Sequence, residues 1–146
     1  MKFFAPILAV GIFSSLASGQ SIERIQPEGL TKPATYSHVV KVGKLLFIAG
    51  QVAFDTNGKL VGENDMKAQV KQVLENLKTA LASQKADFSH VVKINTYTTD
   101  VEAFLAAAEV RAEYFKGNLP ASTLVQISKL ARPGLLVEIE AIAALP

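Results

Sequence analysis

Between Asp65 and Leu81 the apolar residues fall at Met66, Val70, Val73, Leu74, Leu77 and Leu81. Steps of three and four place them on one side of an α-helix, with Asp65 positioned to cap its first turn. A helix with one apolar stripe has to bury that stripe against a second layer. The flanking segments supply that layer, because their period drops to two. In YSHVVKV, Tyr36, His38, Val40 and Val42 share a face, and in HVVKINTYTTD, Val92, Ile94 and Thr96 oppose Val91, Lys93, Asn95 and Tyr97. LLFIAG, residues 45–50, is continuously apolar and reads as a strand buried on both faces.

The remaining segments complete an alternating pattern. A short strand around Ile22–Ile25 leads into the loop PEGLTKPAT, whose prolines and glycine break regular structure. Asn57 and Gly58 form the pair that supplies positive φ in a tight hairpin turn. Thr99 and Glu102 have capping-box spacing, and Val101, Phe104, Ala108, Arg111 and Phe115 form a second helical stripe that stops near Gly117 and Pro120. Two strands follow, roughly over 122–128 and 135–143, joined by a turn around Arg132, Pro133 and Gly134. This order of elements predicts an α+β domain with both helices on one face of a sheet.

Composition narrows the function classes. The chain has 146 residues, is 49% hydrophobic, and carries a formal net charge of +2 with no basic run, so the electrostatic footprint of a nucleic-acid binder is missing. It has no cysteine, which removes disulfides, thiolate metal sites and a cysteine nucleophile together. His38 and His90 stand alone on separate segments, a poor metal signal, and no G-x-S-x-G nucleophile motif occurs. Gly43, Gly50 and Gly58 read as turns and do not form a phosphate loop. At the N-terminus, Lys2, the apolar run from Phe3 to Leu16 and the small residues Ala17, Ser18 and Gly19 are laid out as a secretory signal peptide. Cleavage after residue 19 would release a secreted domain spanning residues 20–146, with no membrane attachment once the leader is removed.

The last strand carries the segment VEIEAIA at 137–143. Val137, Ile139, Ala141 and Ala143 take one face, and Glu138 and Glu140 share the other with Ile142. Like charges side by side on a strand repel, so either both are solvated or one has been placed for a purpose.

PEGL with Pro33 and YSHVV, FIAGQ at 47–51, DVEAF at 100–104, LPAS at 119–122 and LLVEIEAIA at 135–143 occur in an order and spacing that resemble the Rid family, also called YjgF or RutC. The resemblance covers essentially the whole chain after residue 20. It implies a chorismate-mutase-like fold, a mixed sheet with two helices on one face, assembled as a homotrimer with clefts between subunits. It also implies hydrolysis of reactive imines or enamines, such as those released by amino-acid dehydratases, to a keto acid and ammonia, with no metal and no organic cofactor. By the same resemblance Glu138 is the carboxylate that orients the attacking water, while Tyr36, Gly50 and position 122 bind substrate.

Position 122 departs from the family pattern. The deaminating branch has an arginine there that grips the substrate carboxylate through two parallel charge-assisted hydrogen bonds, whereas this chain has Ser122. Leu124 and Ala108 likewise replace a cysteine and an asparagine of that branch. A hydroxyl cannot do the work of a guanidinium, so a substrate other than 2-aminoacrylate is expected, larger or uncharged, as in a secondary-metabolite pathway, unless Arg111 or Arg132 reaches the cleft. The alternative is a non-catalytic trimer that binds a small molecule. The ribonuclease or translation-inhibitor role of some family members fits poorly with the near-neutral charge.

Overall fold

In the computed structural model, which describes residues 20–146, the two periodicities of the sequence separate into two layers. The signal peptide expected over 1–19 lies outside the described residues. The sheet is built from β1 (Ile22–Ile25), β2 (Val39–Val42), β3 (Leu45–Val52), β4 (Val91–Thr98), β5 (Ala121–Gln126) and β6 (Val137–Ala144). Their spatial order is β1-β2-β3-β6-β4-β5, antiparallel throughout except for the parallel pair β4–β5. The sheet is therefore mixed, as expected. The helices α1 (Met66–Ala82), α2 (Val101–Ala106) and α3 (Ala108–Phe115) lie together on one face, with α2 and α3 both packed on α1.

The Asp65 cap is present: its carboxylate accepts from the Ala68 N–H at 3.0 Å. Val70, Val73, Leu74, Leu77 and Leu81 are at most 1% exposed and cover Leu46, Ile48, Val137 and Ile139 on the sheet. Burial of apolar surface stabilises by about 25 cal/mol per Å² removed from water, so this stripe holds the helix on the sheet.

Two polar residues inside this layer fix how the helix meets the loops around it. Gln69 is fully buried; its Nε2 donates to the Gly62 and Gly134 carbonyls at 3.0 and 2.7 Å, and its Oε1 accepts from the Leu136 N–H at 2.9 Å. Asn76 donates from Nδ2 to the Val52 and Phe54 carbonyls, both at 2.9 Å. Each amide thus ties backbone groups of the loops and strand ends around α1 to the helix.

The structure corrects four local expectations. The second helix breaks at Ala107, where the N–H bonds of Ala107 and Val110 reach back three residues to Phe104 and Ala107. Its buried side is accordingly Phe104, Ala107, Val110 and Phe115, and Arg111 leaves the core. The cap of α2 is Asp100, which accepts from the Ala103 N–H at 2.9 Å, while the Thr99 N–H is held by the Leu136 carbonyl. In the Asn57–Gly58 turn only Gly58 has positive φ, +75°; the Asp55 carboxylate accepts from the Asn57 and Lys59 N–H groups and sets a type I turn followed by a left-handed glycine.

The fourth correction concerns the sheet. β2 starts at Val39, so Tyr36 and His38 sit in the loop before it and not on the strand face. Along β3, Leu46 and Ile48 are buried but Leu45 and Phe47 are 41% and 42% exposed. Helices cover only one face of the sheet within a single chain, so continuous hydrophobicity in LLFIAG does not mean burial on both sides of this chain.

The amide of Gln69 holds the 134–136 backbone to the first turn of α1. Gln69→Leu, nearly isosteric, takes away the side-chain partner of the Gly134 carbonyl and of the Leu136 N–H, while the Gly62 carbonyl keeps its bond from the Asp65 N–H, and is expected to lower the unfolding free energy by about 1–3 kcal/mol. Chemical denaturation of the two proteins measures this.

Candidate functional site

Pairing between β3 and β6 slips by one residue. Ile48 is opposite Ala141 but Gln51 is opposite Ile139, so Ala49 and Gly50 form a bulge on β3. The bulge faces Glu138, which lies opposite Val52 on β3 and Tyr97 on β4. A Cβ built on Gly50 would stand 1.8 Å from Glu138 Oε1 and 2.6 Å from its Cδ. The space taken by a side chain at position 50 in any other residue is here filled by the carboxylate, which is the physical reason for glycine.

Glu138 is half-buried, and neither of its oxygens has a hydrogen-bond or ion-pair partner among the described residues. Burial, aided by the charge of Glu140, raises its pKa above the ordinary carboxylate value. Glu140 differs from it: its Oε1 accepts from Asn95 Nδ2 at 2.6 Å. The two like charges of VEIEAIA thus have separate environments, one satisfied by a neighbouring strand and one left open to a cleft.

That cleft has a volume of about 820 Å³. Tyr36, Gly50 and Glu138 all line it, together with Lys32, Phe54 and Arg132. Its wall opposite the bulge is the loop 31–38, fastened by a buried histidine that spacing alone left without a role. His38 is 4% exposed; its Nε2–H donates to the Thr31 carbonyl at 2.9 Å and its Nδ1 accepts from Gln51 Nε2 at 3.1 Å. These partners fix the neutral tautomer. Burial lowers the histidine pKa, against the opposing effect of the Thr31 bond. Gln51 Nε2 also donates to the Ala49 carbonyl at 2.9 Å, so one amide joins the loop to the bulge. The Tyr36 ring meets His38 edge to face, with centroids 5.5 Å apart.

The other positions singled out from sequence lie elsewhere. Ser122 is exposed on β5, paired in register with Ile94, and does not line the cleft of its own chain. Leu124 and Ala108 do not line it either. Of the two candidate cations, Arg111 lies 5.0 Å above the Phe104 ring, with its Nε buried and unpartnered, and stays outside the cleft. Arg132 lines the cleft, its guanidinium 5.3 Å above the Phe54 ring. Among the described residues no three His, Asp or Glu side chains come together as metal ligands would.

Comparison with known proteins agrees with this geometry. The family model described as Endoribonuclease L-PSP matches residues 28–145. A RutC family protein of Pyrococcus horikoshii is 40% identical over 122 residues, covering 83% of this chain and 96% of the relative. The mouse 2-iminobutanoate/2-iminopropanoate deaminase is 37% identical over 108 residues, covering 74% of this chain and 79% of the relative. Among solved structures, RidA of an Antarctic Psychrobacter superposes with a TM-score of 0.77 at 34% identity, over 84% of this chain and 99% of that one. On sequence and fold alike, the chain belongs to the Rid, or YjgF/RutC, family.

Proposed function

We propose that the cleft hydrolyses a reactive imine or enamine to a carbonyl compound and ammonia. The observation that carries this reading is the Glu138 carboxylate, half-buried, unpaired and set against the bare backbone of Gly50. The mouse and human relatives named as 2-iminobutanoate/2-iminopropanoate deaminases support the same chemistry.

An iminium carbon is already electrophilic, so the protein needs only to position a water and move its proton. Glu138 takes a proton from that water as oxygen bonds to the imine carbon and the C=N π pair moves to nitrogen. The carboxyl returns the proton to the amine nitrogen; the C–N bond then breaks, the hydroxyl proton is lost and ammonia leaves. A raised pKa suits both steps, because it makes the carboxylate a stronger base toward the attacking water, while the carboxyl so formed is still more acidic than the protonated amine nitrogen and hands the proton on. Gly50 presents backbone to the substrate where a side chain would block it, and Tyr36 closes the side formed by the loop.

The assembly belongs to the same proposal. The uncovered sheet face exposes Leu45, Phe47 and Val92 at 41%, 42% and 48%, an apolar surface suited to burial against further copies of the chain in a trimer. In such a trimer a neighbour's β5 brings Ser122 to the edge of the cleft. Serine in place of arginine there argues for a substrate held differently from 2-aminoacrylate, and the open cleft has room for a larger one.

A dehydratase that generates 2-aminoacrylate or its longer homologues in place, with keto-acid release followed, measures the activity. Glu138→Ala is expected to lower acceleration of that release about 10²- to 10⁴-fold while ligand binding persists. Undiminished acceleration contradicts the assignment, and binding without acceleration in the unmodified protein favours a non-catalytic binding trimer.

The raised pKa also makes a prediction about stability. Glu138 has a folded pKa above its ordinary value of 4.5, so folding favours the protonated form. Its contribution is complete below pH 4.5 and is lost as pH rises through the folded value. Glu138→Gln removes that loss, so its Tm relative to the unmodified protein should climb between pH 4.5 and neutrality, as thermal scans across this range would record.

A further inference from the structure

We propose that Arg132, on the β5–β6 loop, is the residue of this cleft that grips the substrate carboxylate, in place of the cation that Ser122 cannot supply. The inference rests on the reading of the cleft as a hydrolytic site and adds to it a substrate-binding residue.

The chain has three arginines, and they lie in three different places. Arg24 is on the edge strand β1 opposite Val40, and Arg111 is folded over Phe104 on the helical side. Only Arg132 shares the cleft with Glu138. Arg132 has no carboxylate partner among the described residues, and Glu138 has none either. Opposite charges that face one cleft without coming within ion-pair distance leave a gap between them. The pKa of Glu138 agrees, being pushed up by burial and Glu140 with no lowering from Arg132. A molecule with a carboxylate at one end and an electrophilic carbon near the other fits between these two groups.

The position of Arg132 is built into the fold. Phe54 supports one face of the guanidinium at 5.3 Å, which leaves the N–H edges free, and the edges are what grip a carboxylate bidentately. Two residues on, Gly134 has φ +81°, and its carbonyl is held by buried Gln69 at 2.7 Å. A Cβ on Gly134 would come within 2.8 Å of Leu60 Cδ2, so the turn packs closely against the strand end beyond Phe54. The cation is thus carried on an anchored loop. It stands on the chain's own wall of the cleft, whereas position 122 belongs to β5.

Calorimetric titration of the full chain with 2-oxobutanoate, the product expected from the four-carbon imine, and with its neutral amide tests this without requiring turnover. The unmodified protein should bind the acid in preference to the amide. Arg132→Ala should weaken the acid by at least about tenfold and leave the amide unchanged, and Arg132→Lys should fall between them, because an ammonium lacks the two-pronged geometry. Arg132 is exposed, so its truncation spares the core. No preference for the acid, an unaltered Arg132→Ala, or loss of binding in Lys32→Ala instead would overturn the inference. Because binding is read directly, a protein that binds the acid through Arg132 but deaminates nothing would refute the hydrolytic reading alone. Full deamination of 2-iminobutanoate by Arg132→Ala would refute this inference alone.

Discussion

The carboxylate of Glu138 occupies the volume that a side chain at position 50 would need, since a Cβ there would stand 1.8 Å from Oε1. That contact exists because β3 carries one residue more than β6 between two paired positions, which turns the Ala49–Gly50 backbone toward the carboxylate. The bulge would be free to relax if nothing held it. Gln51 and His38 hold it from the buried side, through bonds of 3.1 Å between their side chains and 2.9 Å back to the Ala49 carbonyl. The glutamate is thereby kept half-buried and without a partner, a state that raises its pKa and that the rest of the fold must support.

Support comes from the helical layer. The buried stripe of α1 fixes the sheet, and two amides on the same helix tie down the segments that border the cleft. Asn76 holds the backbone at Val52 and Phe54, just past the bulge, and Gln69 holds the turn that follows Arg132. Apolar packing places the helix, while the buried polar groups choose the conformations of the loops around it. The opposite face of the sheet carries no helix and exposes Leu45 and Phe47, and it is the face we propose for contact with other copies of the chain.

Much of this was legible in the sequence where periodicity is local. The Met66 to Leu81 stripe, the Asp65 cap and the alternation of VEIEAIA all follow from side-chain direction along one element. The features that escaped are those set by partners far away in the chain. A bulge is a property of a strand pair, so FIAGQ alone shows a glycine but not the slip of register that faces it to Glu138. The break at Ala107 reflects burial at 104, 107 and 110 in place of the 3.6-residue spacing. Whether Arg111 or Arg132 reached the cleft depended on which aromatic ring each met, Phe104 or Phe54, and no spacing encodes that choice. Glu138, Tyr36 and Gly50 were singled out by resemblance and do meet in one cleft; Ser122, singled out in the same way, stands apart from it in the single chain.

The central claim is that the Gly50 bulge keeps the Glu138 carboxyl partly dehydrated and unpaired. Carbon-13 NMR titration of the glutamate side-chain carboxyls, with the Glu138 resonance assigned by its absence in Glu138→Gln, measures this directly. The account predicts a Glu138 pKa above the ordinary 4.5. A value at or below 4.5 would show a solvated or hydrogen-bonded carboxylate and would contradict it.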